Sequence, residues 1–113
     1  MKVERQRYIR FRIFSERIVP VDEKELATVI WRQYNGLFGE VKSGKAGFWI
    51  IDYDPKAQEG TIRCAHVVQD ELVAALTLIT SINDVPVSVD TLGTSGTLAK
   101  LGEKVGSKSY NSA

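Results

Sequence analysis

At 113 residues, with 43% apolar and 26% charged side chains, the chain has the size and balance of one globular domain, which excludes a disordered tail protein and a collagen-like repeat and leads to the expectation of one core without a separate catalytic domain. A single cysteine, Cys64, excludes an internal disulfide and a four-cysteine zinc site. The formal net charge of +1 conceals an asymmetry, because residues 1–17 hold six basic and two acidic groups and residues 93–113 hold three and one, leaving six against eleven in the middle. Basic ends that met in space would make one positive patch.

Taken in chain order, RYIRFRIF at 7–14 alternates strictly, with Ile9, Phe11 and Ile13 on one face and Tyr8, Arg10, Arg12 and Phe14 on the other, which predicts a strand. The preceding MKVERQ is charged where a signal peptide would be apolar, and no apolar run approaches the ~20 residues of a membrane span, so the expected location is the cytoplasm. Asp22 and Glu25 have capping-box spacing, Val21 and Leu26 that of a hydrophobic staple, and Leu26, Val29, Ile30, Tyr34, Leu37 and Phe38 recur at helical intervals before Gly39. The spacing predicts a helix over 23–38.

Beyond a polar loop at 40–46, the run Phe48, Trp49, Ile50, Ile51 predicts a strand that wants cover on both faces. Pro55 to Gly60 reads as a loop leading to a hairpin partner, Thr61–Ala65. A second helix is expected from the stripe Val68, Leu72, Ala75, Leu76, Ile79 and Ile82, broken at Asn83-Asp84. Pro86 then opens a strand PVSVDTL, GTSGT reads as a turn, and Leu98, Leu101 and Val105 share one side of a short terminal helix. Residues 1–106 are thus expected to form one domain and 107–113 a frayed tail. The order β-α-β-β-α-β belongs to α/β (α+β) domains of the ferredoxin-like or RNA-recognition-like kind, in which a four-stranded antiparallel sheet carries two long helices on one face. The apolar strand at 48–51 implies that the other face is covered too.

Chemistry-bearing motifs are sparse. GEVKSGK at 39–45 comes close to a phosphate-binding loop, but Ala46 stands where a hydroxyl is needed and the segment leaves a helix and enters a strand, the reverse of what phosphate binding requires. Asp52 and Asp54 share a strand face and could hold magnesium for a protein-only nuclease, although Asp-x-Asp-Pro is also ordinary turn chemistry. Cys64 and His66 form too small a set for a metal or a nucleophile triad, and read as a core cysteine and a strand-end histidine. Arg5, Arg7, Arg10 and Arg12, with Tyr8 among them, suit RNA phosphates and bases, while charges on a strand also deter edge pairing. A metabolite-binding regulatory domain of the same topology is the alternative from another class.

The strings RYIRFRI, FGE, GFWIIDYD, TIRC, AALTLIT followed by SIN, and LGTSGTL, in this order between residues 7 and 105, resemble archaeal ribonuclease P protein component 2, a relative of the eukaryotic Pop5 subunit. The resemblance implies a non-catalytic subunit of the endonuclease that removes 5′ leaders from precursor tRNA, with catalysis by the RNA component and magnesium held by that RNA, so that the protein itself needs no cofactor. It also implies four partners: ribonuclease P RNA, precursor tRNA through the holoenzyme, ribonuclease P protein component 3 in a two-plus-two assembly, and a second copy of the chain. The residues expected to meet RNA are Arg5, Arg7, Arg10 and Arg12, with Lys42, Lys45, Lys100 and Lys104.

Overall fold

The computed structural model describes residues 5–39 and 47–97. Within them the chain forms β1 (Gln6–Phe14), α1 (Glu23–Phe38), β2 (Phe48–Asp54), β3 (Glu59–Ala65), a 3-10 turn (His66–Val68), α2 (Gln69–Thr77), β4 (Ser81–Ile82), β5 (Val85–Pro86) and β6 (Ser88–Ser95). The long strands make one antiparallel sheet in the order β2-β3-β1-β6, and β4 and β5 form a separate small hairpin. This is the ferredoxin-like arrangement expected from the element order. The expected terminal helix, the frayed tail and the loop at 40–46 lie outside the described residues.

The helix α1 begins where the capping box predicts. The Glu25 amide donates to Asp22 Oδ1 at 2.7 Å and the Asp22 amide to Glu25 Oε1 at 3.3 Å, satisfying two of the groups a helix start leaves unpaired. Its stripe of Leu26, Ile30 and Tyr34 is buried against the sheet face that carries Ile9, Phe11 and Ile13, and Leu72, Ala75 and Leu76 of α2 join the same core. Trp31 stacks on Phe48 with ring centroids 3.9 Å apart, fastening α1 to β2. The Tyr34 hydroxyl donates to Glu71 Oε1 at 3.2 Å and ties α1 to α2.

Two expectations need correction. The second helix stops at Thr77, not at Ile82. The stretch Thr77-Leu78-Ile79-Thr80-Ser81-Ile82 is rich in β-branched residues, and Asn83 and Asp84, with φ of 50° and 64°, make the two-residue turn whose twist suits paired strands. Ile79, Ile82 and Val85 still reach the core. At the other end, β6 runs on through Gly93, Thr94 and Ser95, where GTSGT reads as a turn, because all three pair with β1.

A bulge in β2 revises the reading of its apolar run. Ile50 pairs with Ile62 and Asp52 with Thr61, so Ile51 is an extra residue. The inserted residue reverses the alternation that follows, sending Asp52 to the face away from the helices and Tyr53 to the core. Tyr53 and Phe11 stack there at 6.3 Å across Gly60. A Cβ at Gly60 would lie 2.7 Å from the Asp52 carbonyl oxygen and 2.8 Å from Phe11 Cζ, so the strand needs glycine.

Gln58 clamps the β2–β3 loop to the chain leaving β1. Its Oε1 accepts from the Val19 amide at 2.8 Å, its Nε2 donates to the Ile13 carbonyl at 3.0 Å and to Ser15 Oγ at 3.1 Å, and its carbonyl accepts from the Ile13 amide at 2.8 Å. It does this while buried and at φ 55°. Gln58→Ala, which strands buried backbone groups, is expected to cost about 2–3 kcal/mol in urea denaturation. Gln58→Gly should cost about 1 kcal/mol less, since glycine accepts the left-handed backbone. A smaller loss for alanine than for glycine would contradict the clamp.

Candidate nucleic-acid interface

The strand registers sort the arginines by face. Tyr8, Arg10, Arg12 and Phe14 of β1 look away from the helices, beside Arg63, Thr61 and Glu59 of β3, Trp49, Asp52 and Asp54 of β2, and Ser95, Gly93, Asp90 and Ser88 of β6. Arg7 stands opposite the buried Cys64 and so belongs to the helix side, at the margin of the core, where it is half-buried; Arg5, just before β1, is exposed.

Of the four arginines singled out in the sequence, Arg10 is the one the fold uses internally. It is only 6% exposed. Its Nη1 donates to Thr61 Oγ1 at 3.0 Å and to Asp52 Oδ1 at 3.2 Å, and its Nε lies 3.9 Å from Glu59 Oε1. A guanidinium so enclosed is matched by two carboxylates and is not presented to a ligand. Arg12, by contrast, is exposed, with its guanidinium 4.9 Å from the centroid of the Phe14 ring.

The carboxylates considered for magnesium are engaged in the same way. Asp52 serves Arg10, and Asp54 Oδ1 accepts the amides of Lys56 at 3.0 Å and Ala57 at 3.4 Å, the turn role that Asp-x-Asp-Pro suggested. Cys64 is buried, and burial pushes its thiol up to about 11 although Arg7 pulls the other way. His66 opens the 3-10 turn in an exposed position. An open groove of about 860 Å³ at Phe14–Arg17 and Val85–Ser88 has Glu16 and Arg17 as its charged lining residues.

Charge is segregated along the strands. At the end formed by Gln6–Tyr8, Phe48–Trp49, Arg63–Ala65 and Thr94–Ser95, the described strands contain Arg7 and Arg63 and no carboxylate, while the opposite end holds Asp52, Asp54, Glu59 and Asp90. Asp70 and Glu71 stand in the helix layer, the latter turned to Tyr34. Arg5 adjoins the first of these ends, its carbonyl accepting from the His66 amide at 2.8 Å. Nothing local in the sequence marks Arg63, because only the hairpin register sets it beside Trp49, 5.0 Å from the ring centroid. Lys42, Lys45, Lys100 and Lys104 lie outside the described residues.

Residues 7–105 match the model of the Rpp14/Pop5 family. Among curated proteins, ribonuclease P protein component 2 of Thermococcus gammatolerans is 39% identical over 101 residues, covering 89% of this chain and 82% of the relative. The protein of the same name from Archaeoglobus fulgidus is 35% identical over 100 residues, covering 88% and 87%. Among solved structures, a chain of yeast ribonuclease MRP superposes with a TM-score of 0.69 at 15% identity, over 87% of this chain and 79% of that one. That likeness shows the fold.

Two outcomes are expected. Arg10→Met, which leaves the shielded Glu59 and the half-exposed Asp52 without their cation, should lower stability by about 2–4 kcal/mol, and Arg12→Met by less than about 1 kcal/mol; equal losses in urea denaturation would contradict the assignment. The second concerns alkali. Burial, reinforced by the bond to Glu71, pushes the Tyr34 hydroxyl up to about 12, and Cys64 stands at about 11, against ordinary values of 10.0 and 9.0. Stability from keeping both neutral is full below pH 9.0 and is lost as pH rises through about 12. The denaturation midpoint should therefore fall steadily above about pH 9, less steeply in Tyr34→Phe.

Proposed function

The chain belongs to the Rpp14/Pop5 family, and from that membership we propose that it is a protein subunit of ribonuclease P that binds and stabilises the catalytic RNA during removal of 5′ leaders from precursor tRNA. The observation that carries this reading is the extended similarity to ribonuclease P protein component 2, at 39% identity over 89% of the chain. The charge distribution is in keeping with it.

In this reading the subunit makes and breaks no bond. Arg5, Arg7 and Arg63 at the end of the sheet whose described strands lack carboxylates, with Arg12 and with Lys42, Lys45, Lys100 and Lys104, neutralise phosphates that the bare RNA would screen with magnesium, and the RNA holds the catalytic magnesium itself. Arg10 has no share in these contacts. Its task is to hold β2, β3 and β1 in register beneath them. Guanidinium groups suit this role because each can fork onto two phosphate oxygens and remains charged at every working pH.

The partners that follow are ribonuclease P RNA, precursor tRNA within the holoenzyme, ribonuclease P protein component 3 in a two-plus-two assembly, and a second copy of this chain. Exposed Ile18, Leu37, Val67 and Leu78 are apolar surface in keeping with protein contacts. Among the described residues no helix is long and apolar enough to cross a membrane, and the site of action in this reading is the cytoplasm.

Omitting the subunit from a reconstituted holoenzyme is expected to slow precursor cleavage most at low magnesium; equal rates with and without it would refute the proposal. For the isolated chain, log affinity for RNA should fall with log salt by roughly 0.7–0.9 for each phosphate contact. Replacing Arg5 and Arg63 with Met should reduce that slope by about two contacts, while Arg10→Met leaves it unchanged.

A further inference from the structure

Trp49 is the large aromatic residue that β2 turns away from the helices, and 47% of its surface is exposed. Its sheet neighbour is Arg63, whose guanidinium carbon lies 5.0 Å from the ring centroid. Arg63 is itself held, because its Nε donates to Gln6 Oε1 at 3.2 Å. Next in the row across the sheet comes Tyr8, the register partner of Arg63 on β1. The row thus places an exposed indole, an anchored cation and a phenol side by side at the end of the sheet whose described strands have no carboxylate.

Packing does not account for this arrangement. Phe48, one residue earlier, takes the core position against Trp31. A ring with nearly half its surface in water, flanked by a fixed guanidinium, is suited to one class of ligand, a flat and electron-delocalised group that carries negative charge close by. An unpaired nucleotide has both parts: a base to lie on the indole and a phosphate for Arg63. Base-paired RNA does not, since its bases are already stacked on one another.

We propose that Trp49 and Arg63 form a stacking subsite for one unpaired nucleobase of the RNA partner, with Arg63 taking the adjoining phosphate and Tyr8 bordering the site. The site deepens the RNA-subunit reading and rests on it. It occupies the first strand of the β2–β3 hairpin, not β1, where the arginine-rich sequence pointed. Phe14 and Arg12 repeat the pairing at 4.9 Å but lie toward Asp90, Glu59 and Asp54, whose charges weaken, without cancelling, the pull of Arg12 on a phosphate.

The test uses the full chain carrying Trp31→Phe, so that emission reports Trp49 alone. An unstructured single-stranded RNA of about nine nucleotides is expected to quench that emission, and a fully paired RNA duplex is not. Trp49→Ala should weaken single-strand binding by roughly ten- to a hundred-fold with an unchanged salt slope, Trp49→Phe should retain most of the affinity, and Arg63→Met should lower the slope by about one contact. Circular dichroism of Trp49→Ala should match the parent. Salt-dependent RNA binding with no quenching and no effect of Trp49→Ala would overturn the subsite and leave the RNA-subunit reading standing. No salt-dependent binding to either RNA would overturn both. Emission that shifts only on adding a protein partner would reassign the row to a protein interface and overturn the proposal.

Discussion

A guanidinium buried on one face of a sheet cannot be left unmatched, and the outer face of this protein is organised around that constraint. Arg10 sits on a central strand, 6% exposed, between Thr61 on one neighbour and Gly93 on the other. Its two carboxylates come from different strands. Glu59 lies near it on β3 by ordinary alternation, but Asp52 on β2 has the correct face only because Ile51 is inserted ahead of it. The same insertion delivers Tyr53 to the core. One extra residue therefore satisfies a charge on one side of the sheet and fills space on the other.

The acidic residues gathered toward that ion pair leave the opposite end of the sheet without carboxylates among its described strand residues. Arg63 and Arg7 stand there, and Arg5 adjoins them, so among the described strands cations without neighbouring carboxylates gather at one end even though the whole chain is almost neutral. A polyanion approaching such a molecule is steered by this local field and not by the total charge. Rigidity has the same importance as charge. The capping box of α1, the Tyr34–Glu71 bond and the Gln58 clamp each fix one junction between elements, and a scaffold for RNA is useful only if its cations hold their spacing.

Several of these features could be read along the chain. The alternation of Ile9, Phe11 and Ile13, the spacing of Asp22 and Glu25, and the stripe Leu26, Ile30, Tyr34 are local patterns, and the structure reproduces them, with α1 at the predicted residues. The end of α2 was misread for an equally local reason. Ile79 and Ile82 continue a helical stripe, yet they reach the core from an irregular segment and a two-residue strand, so burial without helix produced a helical signal. Gln58 gave no signal at all, because its partners Ile13, Ser15 and Val19 are some forty residues away in sequence.

What the amino-acid sequence determined alone was the first strand with its core face, the helix α1 and the family to which the chain is similar, since these rest on periodicity and on runs of neighbouring residues. Tertiary structure decided which arginines are available. Arg10 and Arg12 are equivalent by alternation, and they differ because a bulge on a strand two places away brings Asp52 to one and not to the other. Arg63 and Trp49 are fourteen residues apart and unrelated along the chain until hairpin register sets them side by side. Strand pairing is non-local, and a one-residue insertion changes which side chains meet without changing the composition of either strand.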